Sequence, residues 1–249
     1  MVNNLKSNFL KTASISAFFK KCTIGQVTLS NKEVSNFIDS KDKYGNNLFL
    51  FILRGVNKDN IENKLEYLKT ALVLKGDLNN LNIYKNSVVG LFFDDFTYET
   101  GELTDELLFS GKEKQFLAII DSILPKVKNI NFLNRDKIDL MGYVLRGINN
   151  INFTNDQVNI KTKNDFFLKL IKKLLINNCK ISKKNLETIL KIDSLDLWNI
   201  IENNYKIKNN FYYATLKLNP KKNISTHLNQ KLIDNVLKKK ERNNKINKI

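Results

Sequence analysis

Histidine, cysteine, proline and glycine are all scarce in this chain of 249 residues, and each scarcity closes off a class of function. His227 is the only histidine. One imidazole cannot build a two-histidine metal site, and it leaves little room for Ser-His or Cys-His nucleophiles or for histidine relays. Cys22 and Cys179 lie far apart with no C-x-x-C, so neither a disulfide framework nor a zinc site is expected, and buried free thiols are the simplest state. Two prolines (Pro125, Pro220) and nine glycines favour helices over a turn-dense sandwich. No apolar run is long enough to span a bilayer. The N-terminal stretch Thr12 to Phe19 is short, broken by hydroxyls and followed at once by Lys20 and Lys21, unlike a cleavable signal. Synthesis in a cytosol is expected, with export into a host cell by a machine needing no cleaved signal left open. P-loop, dinucleotide, G-x-S-x-G and H-E-x-x-H patterns are also missing. The expectation is a non-enzyme without cofactor or metal.

What is present is positive charge. Lys and Arg total 41 against 25 Asp and Glu, a net +16. Lysine supplies nearly all of it, and asparagine and isoleucine are abundant beside it, as in the product of an A/T-rich genome. Drift on a solvated surface therefore explains the basicity more simply than a selected polyanion-binding face. The alternative is a basic nucleic-acid-binding helical protein: Lys231, Lys238 to Lys240, Arg242, Lys245 and Lys248 to grip a backbone, and Phe211 to Tyr213 to stack bases. No RNP, KH or helix-turn-helix signature supports it. Asp94, Asp95, Glu99 and Glu102 form the one dense carboxylate cluster, which could hold a divalent cation or an acid–base pair. A solvated loop relieving a basic chain is the simpler account.

Helical spacing runs along most of the sequence. Leu5, Phe9, Leu10, Ala13 and Ala17 predict an opening helix, and Ser30 with Glu33 reads as a capping box for a second. Ile61, Leu65, Leu68 and Leu72 share a face, with Gly76 placed to end the helix in the left-handed conformation. Thr104 is expected to cap a further segment, and Pro125 to end the helix carrying Phe116 to Leu124. Residues 149–163 read as a loop or small hairpin. Phe166 to Leu175, Leu186 to Leu190 and Leu195 to Ile201 are further helices, with Trp198 in the core. Phe211 to Leu218 reads as a strand or a cap. Leu228 to Val236 closes the chain ahead of a fraying basic tail from Lys238.

Three stretches echo one another. Asp42-Lys43-Tyr44-Gly45-Asn46-Asn47-Leu48 is followed 40 residues on by Asn82-Ile83-Tyr84-Lys85-Asn86-Ser87-Val88, and 52 further on by Asn134-Arg135-Asp136-Lys137-Ile138-Asp139-Leu140. Each runs from Asn or Asp through a polar turn into an apolar helix. The outer copies also share Ile52-Leu53-Arg54-Gly55 and Val144-Leu145-Arg146-Gly147. These residues resemble a degenerate ankyrin repeat, which opens D-x-x-G-x-T-P-L-H-x-A. Asp42, Gly45 and Leu48 match that opening, and Asn47 takes the threonine slot. The T-P-L-H-x-A itself is absent, and both spacings require insertions.

The resemblance implies an all-α, ankyrin-like helical-repeat solenoid with irregular repeats; another two-helix solenoid or an irregular α-bundle is the alternative. The expected layout is a capping helix in 1–29, repeats in 30–205, and a cap with a basic tail in 206–249. Ankyrin-like proteins grip another protein with their loop tips and first-helix faces. The resemblance thereby points to Lys43, Tyr44, Tyr84, Lys85, Arg135, Asp136, Arg54 and Arg146 as partner-binding residues of a monomer. With the A/T-rich composition it further implies an effector that an intracellular bacterium aims at a host protein.

Overall fold

All regular structure among the described residues is helical. The computed structural model describes residues 14–25, 29–57, 59–96, 102–134, 136–150, 160–204, 215, 216, 218 and 220–246. The helices are α1 (residues 14–24), α2 (Asn31–Phe37), α3 (Leu48–Leu53), α4 (Ile61–Val73), α5 (Val88–Phe96) and α6 (Glu102–Phe109). They continue with α7 (Glu113–Ile123), α8 (Leu140–Asn150), α9 (Ile160–Ile176), α10 (Lys183–Ile192), α11 (Leu195–Asn204) and α12 (Lys222–Ile246). None is long and apolar enough to cross a membrane. The chain divides into two units, 1–179 and 180–249, so the division falls inside the stretch assigned from the sequence to one run of repeats.

Local chemistry sets several helix ends. The Ser30 hydroxyl accepts the Glu33 N–H at 3.2 Å, and the Glu33 carboxylate accepts the Ser30 N–H at 2.9 Å. This reciprocal cap starts α2 and holds the Glu33 carboxyl below its ordinary range. Pro125 sits in a 3-10 turn, Leu124–Lys126, that closes α7. Thr104, expected at a helix start, is instead the third residue of α6, where it is buried. Gly76 is not the left-handed residue after α4 either. Lys75 takes that conformation (φ 59), with its N–H donating to Leu72 and that of Gly76 to Ala71. Gly76 answers a different constraint, since a Cβ there would meet Ile38 Cδ1 at 2.7 Å and Phe49 Cε2 at 2.9 Å.

In the first unit, α3, α5 and α8 pack in succession, and so do α4, α7 and α9. Within that arrangement α3 also packs on α4, and α8 on α9. The insert between the second and third echoes includes α6, which packs on α7 and α9. Rings run through the interior: Phe92 lies 5.5 Å from Phe116, which lies 5.8 Å from Phe166. At the N-terminal end Phe18 stacks on Phe37 at 4.4 Å and Phe19 on Phe51 at 4.2 Å. Among the described residues of this unit two lysines are buried. Lys163 pairs with Asp105 at 2.6 Å, tying α9 to α6. Lys64 donates from Nζ to the carbonyl oxygens of Ile52, at 3.0 Å, and Arg54, at the end of α3. Of the loop or hairpin expected at 149–163, residues 149, 150 and 160–163 are helical, and 151–159 lie outside the described residues.

In the second unit Ser182 caps α10, accepting the Asn185 N–H at 3.2 Å. Asp193 ends α10 in the left-handed conformation, and its carboxylate accepts the Ile224 N–H at 3.1 Å in the first turn of α12. Trp198 is fully buried in α11 and donates from Nε1 to Glu202 at 3.0 Å; Glu202 also meets His227 at 3.1 Å on α12. The tail expected to fray is helical to Ile246, since no glycine or proline interrupts it. Of Phe211 to Leu218, residues 211–214 and 217 lie outside the described residues, and 215 and 216 are helical.

Candidate functional site

Asp42, Asn82 and Asn134 open three loops built on the same hydrogen bonds. In each loop one side-chain oxygen accepts the N–H groups two and four residues on. Asp42 takes those of Tyr44 and Asn46 at 2.8 Å each. Asn82 takes those of Tyr84 and Asn86 at 3.0 Å, and Asn134 those of Asp136 and Ile138 at 2.9 Å. The third residue on is left-handed every time: Gly45 (φ 79), Lys85 (φ 59) and Lys137 (φ 57). Each loop then returns through its own backbone pair, Asp42 to Asn46, Asn82 to Asn86 and Asn134 to Ile138. An Asx turn of this kind satisfies the backbone locally, which leaves the intervening side chains at a tip.

The exits of the loops differ. Ser87 and Asp139 cap their helices, accepting from Gly90 at 2.9 Å and Gly142 at 2.7 Å. Asn47, in the same slot, makes no cap and instead donates from Nδ2 to the Asp77 carbonyl. That bond belongs to a set joining the first tip to the second. The Ile83 N–H donates to the Tyr44 carbonyl at 2.9 Å, Asn80 Nδ2 to the Gly45 carbonyl at 2.7 Å, and Asn82 Nδ2 to Asn46 Oδ1 at 3.1 Å. The rings of Tyr44 and Tyr84 consequently lie 6.2 Å apart, and Lys43 Nζ stands 4.8 Å over the Tyr44 ring.

Large side chains are left in solvent along these tips. Ile83 is 62% exposed, Leu133 50%, Tyr84 49%, Leu81 43% and Tyr44 39%. Isolated exposed apolar residues are ordinary, but five on neighbouring loops form a patch of the kind that marks contact sites. A groove of about 530 Å³ between the second and third tips is lined by Ile83, Tyr84, Lys85, Phe132, Leu133 and Asn134. Across α4, α7 and α9, in contrast, three ion pairs engage outward charges: Glu62 with Lys112 at 2.5 Å, Glu113 with Lys169 at 2.7 Å, and Asp121 with Lys173 at 2.5 Å.

No family matches. No family model fits the chain, and no curated protein or solved structure matches it.

Of the residues singled out from the sequence, Lys43, Tyr44, Tyr84 and Lys85 stand together on the first two tips, and Asp136 is exposed on the third. Arg135 lies outside the described residues. Arg54 and Arg146 do not hold equivalent places. Arg54 directly follows α3, which stops where Gly55 turns left-handed (φ 57), whereas Arg146 lies inside α8, which continues to Asn150. Arg146 is held at 2.5 Å by Asp94 of α5 and lies 5.1 Å from the Tyr143 ring. Asp94 thereby serves a helix-to-helix clamp. Among the described residues no cluster of His, Cys, Asp or Glu could hold a metal ion. Leu81, Ile83 and Leu133 were missed as surface residues because an apolar residue beside a helix reads as core; their place immediately before or after the turn-opening Asn was the available signal.

Proposed function

We propose that the chain is a non-catalytic protein-binding module, an ankyrin-like stack of helical hairpins that presents its loop tips to another protein. The observation that carries this reading is the exposed row Tyr44, Ile83, Tyr84, Leu81 and Leu133 on or beside loops braced by their own Asx turns. Tyrosines and bulky aliphatics held on rigid loops lose little entropy on contact and bury much area. Lys43 and Lys85 beside them give the surface a positive edge. From the resemblance and the composition, the partner is a protein of a host cell into which this one is delivered.

The test is recovery of a partner from host-cell lysate by the tagged full chain. Ile83→Asp with Tyr84→Ala should abolish recovery, while Val73→Asp, at an exposed position on α4, should leave it intact. Equal recovery by all three proteins would remove the tips from consideration.

A further inference from the structure

Between α1 and the first tip lies a second groove, of about 650 Å³. Its floor is apolar, formed by Ile15, Phe19 and Phe51, with Ile24 and Tyr44 along its sides. That floor is held in place: Phe19 stacks on Phe51 at 4.2 Å, and Asn60 Nδ2 donates to the carbonyls of Ile24 at 3.0 Å and Gly55 at 2.9 Å. Ile24 nonetheless remains 43% exposed.

The rim is basic. Lys20, Lys41 and Lys43 line it, and none of the three forms an ion pair among the described residues. Lys41 Nζ is held by the neutral Asn80 Oδ1 at 2.5 Å, which orients the ammonium and leaves its charge uncompensated. Asp42 is the one acidic residue in the lining; its Oδ1 accepts two backbone N–H groups and its Oδ2 accepts Asn46 Nδ2 at 2.9 Å, and its charge offsets one of the three lysines, which leaves the rim net positive. Three lysines over an apolar floor favour a ligand that is negative at its edges and apolar at its centre, and repel a basic one.

We infer that this groove takes an acidic segment of the partner protein, with large apolar side chains seated on Phe19 and Phe51 and flanking carboxylates held by the three lysines. The inference rests on the protein-binding reading and supplies the chemistry of the partner. A nucleic-acid backbone would engage the lysines but leave the apolar floor uncovered.

The probe is a fluorescein-labelled synthetic peptide of about 12 residues, rich in Glu with Leu-x-x-Phe at its centre, titrated against the full chain. Three comparison ligands are used: the same peptide with Ala for Leu and Phe, poly-Glu of equal length, and a single-stranded oligonucleotide. The parent peptide should bind at least about tenfold tighter than each of the three, because only it fills the floor. Lys20→Glu with Lys43→Glu, and separately Ile24→Asp, should each weaken it by about tenfold or more. Far-UV circular dichroism and thermal melting establish that the variants, all at exposed positions, remain folded. The Ile83→Asp/Tyr84→Ala protein should bind the peptide like wild type, which separates failure here from failure of the tip surface. Equal binding of poly-Glu or the oligonucleotide, or indifference to both groove variants, overturns the inference.

Discussion

Lys64 offers the sharpest check on the packing of the first unit. Its side chain is fully buried in α4, and among the described residues its ammonium donates to the carbonyls of Ile52 and Arg54. Burial pushes its pKa from the ordinary 10.5 down to about 7. The negative end of α3 opposes that fall. The folded pKa lies below the unfolded one, so between about pH 7 and 10.5 the unfolded chain binds more protons at this site. Stability must therefore rise with pH across that window and be level below it. The full slope is about 1.4 kcal/mol per pH unit, and with the opposing carbonyls we expect a gain of about 1–2 kcal/mol from pH 6.5 to 8.5. The comparison protein is Lys64→Met, which has similar length but cannot titrate and leaves both carbonyls without a donor. Urea unfolding followed by circular dichroism at several pH values gives the difference between the two proteins. The upper bound of pH 8.5 avoids the cysteines. Burial pushes the thiols of Cys22 and Cys179 up to about 12, so above their unfolded range they draw stability down with rising pH. A wild-type minus Met difference that stays flat within about 0.3 kcal/mol would refute the reasoning.

Other perturbations test single contacts. Gly147→Ala should destabilise by about 1–3 kcal/mol in urea unfolding, since its Cβ would meet the Phe167 ring at 2.6 Å between α8 and α9. Asn82→Ala removes the acceptor for the Tyr84 and Asn86 N–H groups and the bond to Asn46, and should cost about 1–2 kcal/mol by the same measurement. Lys85→Gly relieves a left-handed lysine and should raise the stability by up to about 1 kcal/mol in urea unfolding. Both cysteines should react with a thiol reagent only as fast as the protein opens, since burial keeps them protonated; prompt native-state labelling would contradict their placement.

Much of the local order is readable from the chain alone, because its causes lie within a few residues of each other. The Ser30–Glu33 cap, the stop at Pro125 and the three Asx turns each depend on bonds spanning four residues or fewer. Apolar stripes at helical spacing located α4, α7 and α9 on the same grounds. The reading failed where a residue's surroundings come from far along the chain. Gly76 looked like a terminator, but Ile38 and Phe49 claim the space its side chain would fill. Nor does short-range pattern show that Arg146, expected on the surface at a first-helix end, pairs with Asp94, 52 residues away.

Composition and short-range pattern thus determined the helices, their caps and the recurrence of one turn. Only the tertiary structure decided which side chains those helices cover. Lys64 and Lys163 are inside because carbonyls and a carboxylate from other helices receive them there. Leu81, Ile83 and Leu133 are outside because the turns beside them stand at the edge of the packed helices, where no described neighbour covers them.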